Sequence, residues 1–100
     1  MSIEIPNALL AFGSVKGSDG TLVSGACYTP ARSGTGIYTL TLEQEVDSTQ
    51  CAVLTCVRGA TEGYSFVAQT SDAVKTVKTV DNAGAVEDVD FDFVVLRCPG

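Results

Sequence analysis

The stretch 86–97, VEDVDFDFVVLR, constrains the fold more than any other part of the chain. Residues in a strand alternate faces, so Val89, Phe91, Phe93 and Val95 make one apolar row. Asp88, Asp90 and Asp92 share the opposite face as a ladder of carboxylates, and beyond Asp92 that face turns apolar at Val94 and Leu96. A strand that starts half exposed and ends apolar on both sides needs cover at its far end, from its own chain or from another. Val94 and Leu96 are therefore the candidate subunit-interface residues. The carboxylate ladder is expected to be the solvent side of the strand, its like charges discouraging unwanted edge pairing.

Six further segments read as strands separated by turn clusters. Residues 7–15 form the first, with Ala8, Leu10 and Phe12 on one face and Leu9 and Ala11 on the other. Residues 21–29 follow, interrupted at Gly25, and Pro30 marks an edge or the strand's end. The run 32–36, RSGTG, reads as a tight turn into 37–43, where Tyr38, Leu40 and Leu42 point inward and Thr39, Thr41 and Glu43 outward. Residues 51–58 are a continuous apolar run, the signature of a strand covered on both faces. Residues 64–70 alternate again. In 73–80 a near-helical recurrence of valines competes with a high content of β-branched residues, which favours a strand. The expected fold is all-β: a single antiparallel β-sandwich or jelly-roll-like domain of about seven strands. It spans residues 1–100, with 1–7 as an extended N-terminal arm.

Composition supports a packed domain, since 45% of the residues are hydrophobic and 18% charged. A mean hydropathy of +0.24 is high for so small a soluble monomer and hints at apolar surface that a partner covers. The net charge of −6, with Lys16, Arg32, Arg58, Lys75, Lys78 and Arg97 scattered singly, argues against nucleic acid as a ligand. No apolar run approaches the length of a membrane span, and the first residues lack the basic and apolar regions of a signal peptide. Assembly in a cytoplasm is the default. Cys27, Cys51, Cys56 and Cys98 are then expected to be reduced, with disulfides left open; Cys51 and Cys56 face opposite ways in one strand and cannot pair with each other.

Catalysis finds little footing. The chain has no histidine, which removes the usual acid–base shuttle and the Ser–His and Cys–His nucleophile pairs. No metal is expected: zinc lacks a ligand pattern, and Asp81, Asn82, Glu87, Asp88 and Asp90 fail the calcium-loop arrangement because Ala83 and Gly84 follow Asn82. The run 33–36 lacks the G-K-[ST] ending of a phosphate loop. No catalytic residue and no cofactor is assigned. Tyr28, Tyr38 and Tyr64 could stack on sugars, with Tyr28 the one expected to be exposed.

The residues Arg32-x-Gly34-Thr35-Gly36-x-Tyr38-Thr39-Leu40-Thr41-Leu42, followed by Asp88-x-Asp90-Phe91-x-Phe93-x-Val95, resemble a pattern in small virion proteins of tailed bacteriophages, in tail-fibre segments and capsid-surface proteins. The resemblance reaches from about Val23 to Arg97, and its motifs are structural. It implies a β-sandwich that associates as a homotrimer, with no catalytic residues to carry over. On that footing the chain is expected to be a non-enzymatic capsid decoration or cement protein. It would bind the phage major capsid protein on the virion surface after assembly in the host cytoplasm, without nucleic acid or membrane. The alternative is a receptor- or glycan-binding head domain of a fibre or spike.

Overall fold

A computed structural model describes residues 9–45, 47–58 and 63–97. The first seven residues, read above as an arm, and Cys98 lie outside the described residues. Eight strands run in the order β1 (Leu9–Val15), β2 (Leu22–Ala26), β3 (Tyr28–Gly34), β4 (Ile37–Leu42), β5 (Cys51–Val57), β6 (Gly63–Thr70), β7 (Val74–Asp81) and β8 (Phe91–Arg97). They form two antiparallel four-stranded sheets, sheet A in the order β2-β1-β8-β5 and sheet B in the order β3-β4-β7-β6. The all-β sandwich is thus observed, with one strand more than the sequence suggests.

That extra strand is β3. Pro30 and the polar residues around Arg32 suppress the strand signal, yet β3 is an edge strand, where a missing N–H costs no ladder bond. Only Thr35 and Gly36 remain as the turn between β3 and β4. The chain passes from sheet A to sheet B at Cys27, which has a left-handed φ of 71° between β2 and β3. The segment 73–80 is a strand, β7, as its β-branched content indicates.

The core lies between the sheets. Tyr38, Leu40 and Leu42 point inward from β4, and Val89, Phe91, Phe93 and Val95 are buried along and just before β8, as their alternation requires. Tyr38 packs on Phe91 with ring centroids 5.0 Å apart, and Tyr28 meets Phe93 edge-on at 4.5 Å. Each such buried side chain contributes about 1.5–3 kcal/mol of transfer free energy. In β1 the simple alternation fails: an irregularity between Leu9 and Ala11 turns both Leu10 and Ala11 inward and leaves Phe12 outside. The sandwich is closed on the β5–β6 side by a hydrogen bond from Ser65 to Thr55 Oγ1 of 2.8 Å. Lys75, wholly buried on the inner face of β7, donates to Thr70 Oγ1 and to the Ser71 carbonyl, both at 2.6 Å. A buried ammonium needs such acceptors.

Candidate functional site

The acidic half of the stretch 86–97 departs from expectation. Asp88 and Asp90 precede β8, and their carboxylates serve as internal acceptors where a solvated ladder was expected. Asp88 Oδ1 accepts from the Gly36 N–H at 2.7 Å, from Arg32 Nε at 3.1 Å and from the Tyr38 hydroxyl at 3.1 Å. Its Oδ2 takes Arg32 Nη2 at 2.9 Å, which completes a two-pronged ion pair. The Arg32 guanidinium, followed by the Gly36 N–H, holds the Asp88 carboxyl below the usual carboxylate range. Asp90 accepts from the Gly17 N–H at 2.7 Å, and Asp92 accepts from the Ser14 hydroxyl and pairs with Arg58 at 3.5 Å.

These contacts join the two halves of the motif. Arg32, Gly36 and Tyr38 lie some fifty residues from Asp88 in sequence, and all three meet on its carboxylate. Gly36 is required there: its φ is +66°, and a Cβ would come within 2.6 Å of the Thr79 carbonyl oxygen. The motif is a clasp that ties the β3–β4 turn to the entry of β8. Among the described residues no group of three or more Cys, Asp or Glu side chains comes together to hold a metal ion.

The apolar half lies elsewhere. Asp92, Val94 and Leu96 alternate on the outer face of sheet A, where register places Val94 between Phe12 and Leu54, and Leu96 between Leu9 and Ala52. Ala26 of β2 continues the first row beyond Phe12. Two apolar rows therefore cross the outer face of the sheet. Val94 and Leu96 are half-buried within them, while Leu9 (52%), Phe12 (44%) and Leu54 (61%) are more exposed. The strand β5, expected to be covered on both faces, is an edge strand whose Leu54 and Cys56 face outward. Its apolar run reflects this open face, because no element of the described chain lies over it. A shallow groove of about 270 Å³ runs along it, lined by Leu54, Thr55, Cys56, Asp92, Phe93 and Val94.

The outer face of sheet B carries a smaller apolar ridge. Tyr64 and Phe66 stand exposed on β6 with ring centroids 6.3 Å apart, and register sets Lys78 opposite Phe66. Tyr28, expected to be the exposed tyrosine, is buried, and Tyr64 is exposed instead. Tyr28 opens β3 just past the crossover and turns into the core, where its hydroxyl reaches the carbonyls of Ser24 at 2.9 Å and Ser14 at 3.2 Å. Gly13 makes room for it, since a Cβ there would lie 2.5 Å from that hydroxyl. Burial, with a smaller push from Asp92, raises the Tyr28 phenol to about 12. Cys27 and Cys56 are exposed free thiols, and Cys51 is a half-buried one against the core. No family model, no curated protein and no solved structure matches the chain.

Proposed function

We propose that the chain is a non-enzymatic structural subunit of a tailed-phage virion, a decoration or cement protein that self-associates as a homotrimer on the major capsid shell. The observation that carries this reading is the pair of apolar rows on the outer face of sheet A, centred on Val94 and Leu96. Four strands at ~4.8 Å spacing and about six residues at ~3.3 Å rise give that face a projected area on the order of 400 Å². This is the size of the largest patch on an ordinary monomer, which is often functional, and falls short of the ~800 Å² per partner of a standard interface. The acidic charge of the chain keeps such a subunit clear of packaged nucleic acid.

The test is a mass-spectrometric inventory of purified particles encoding the chain, with copy numbers. Copies in the hundreds, with loss of heat or salt resistance on their removal, support decoration. A strictly monomeric protein absent from particles overturns it, and a few dozen copies or fewer point to a fibre or spike. The exposed Tyr64 and Phe66 are what favour that second reading, a receptor- or glycan-binding head. Glycan-array binding lost on Tyr64→Ala would select it.

A further inference from the structure

The four edge strands of the sandwich differ in how readily they can take up another strand. An edge presents unpaired N–H and C=O groups, and natural edges are guarded by shortness, bulges, proline or charge. β2 has five residues, a register shift opposite Ser14 and Val15, and Gly25 at a φ of +117°. β3 carries Pro30 and Arg32, and its ladder is irregular between Arg32 and Gly34. β6 is irregular between Val67 and Gln69. β5 has none of these guards: its seven residues, CAVLTCV, are uncharged, lack proline and glycine, and pair with β8 in unbroken register.

One bond fixes the direction of its backbone groups. Arg58 donates to the Asp90 carbonyl at 2.7 Å, one step beyond the pair Val57–Phe91. Bonded and non-bonded pairs alternate in an antiparallel ladder, so Ala52, Leu54 and Cys56 bond β8, while Val53 and Thr55 aim their N–H and C=O groups away from it. No strand among the described residues pairs with that side. The groove lined by Leu54, Cys56 and Val94 lies beside it on the outer face, where outward side chains of an added strand can lean. We propose that the β5 edge is a strand-addition site for an extended, apolar-rich segment of a partner protein. Main-chain bonds to Val53 and Thr55 give affinity, and the groove selects side chains. The net charge of −6 favours a segment flanked by cations. A single strand suits this edge better than a second copy does. Thr55 accepts from Ser65 of β6 at 2.8 Å, so a second sandwich brought to β5 would also meet β6, where the ladder is irregular. The inference goes beyond the virion reading and does not depend on it.

Amide hydrogen exchange, read by nuclear magnetic resonance, tests it. The probe is a capped peptide of alternating valine and threonine with a lysine at each end. In the dilute protein alone, the amides of Val53 and Thr55 should exchange freely and those of Leu54 and Cys56 slowly. Saturating peptide should slow Val53 and Thr55 by about tenfold or more. The same peptide with every amide N-methylated should not. Leu54→Lys puts a charge on the edge at an exposed position, and it should weaken the peptide about tenfold with the parent's circular dichroism retained. Three results would each overturn the site: Val53 and Thr55 already protected in the dilute protein, no slowing with the peptide, or equal slowing with the methylated one. Slowing that grows with protein concentration in the absence of peptide would make a second copy the occupant and overturn the foreign segment.

Discussion

The two halves of the stretch 86–97 do opposite things with their outward-facing side chains. In the acidic half each aspartate is engaged: Asp88 on the β3–β4 turn, Asp90 on Gly17, Asp92 on Ser14 and Arg58. In the apolar half Val94 and Leu96 join rows that no other described element covers. Charged residues here fasten the fold, and apolar residues form rows open to solvent. A carboxylate among backbone N–H groups and an arginine gains charge-assisted hydrogen bonds worth more than those to water, so it is retained inside. An apolar row on an outer sheet face gains nothing until another surface excludes water from it.

If the acidic half is the fastener, damage to it should cost stability and spare association. The largest loss is expected for Gly36→Ala, which forces a Cβ against the Thr79 carbonyl at a left-handed position; about 3 kcal/mol should appear in urea unfolding. Asp88→Ala should cost about 2 kcal/mol by stranding the Gly36 N–H and Arg32. The same group sets an acid dependence. Asp88 has a lowered pKa in the folded chain, so its contribution is complete above the ordinary carboxylate value of about 3.9 and is lost as pH falls through the lower folded value. Unfolding midpoints of Asp88→Ala should fall less steeply over that acid range than those of the parent.

A smaller effect belongs at the basic end. Tyr28, raised to about 12, keeps its proton longer in the folded chain than in the unfolded one. Its contribution is therefore present below the ordinary phenol value of about 10 and is lost as pH rises from there through the folded value. Ultraviolet titration should show the Tyr28 phenolate appearing only near the top of that range. A Tyr28 that titrates near 10 would show that its burial beside Phe93 is wrong.

Much of the sandwich is legible in the sequence. The β4 alternation and the row from Val89 to Val95 name inward residues correctly, because each reports one strand with one buried face. The features that escape are set by tertiary contacts. The fate of Asp88 depends on a turn some fifty residues away, and alternation alone cannot distinguish a carboxylate facing water from one facing a backbone N–H. The β1 irregularity breaks the period at Leu10, which sends Phe12 outward into the apolar rows of sheet A. The run 51–58 looks like a doubly covered strand because its outer residues are as apolar as its inner ones, and a single chain does not reveal whether the cover comes from within. The sequence already marks Val94 and Leu96 through the change of character after Asp92; their neighbours Phe12, Leu54 and Leu9 emerge only from the register of the sheet.

The central claim is that the outer face of sheet A serves association and not folding. Sedimentation velocity of Val94→Asp against the parent, over a wide concentration range, tests it most directly. Val94→Asp should sediment as a monomer throughout, with unfolding free energy within about 1 kcal/mol of the parent, as for a substitution at the surface. A Val94→Asp protein that associates with the parent's concentration dependence would contradict the claim.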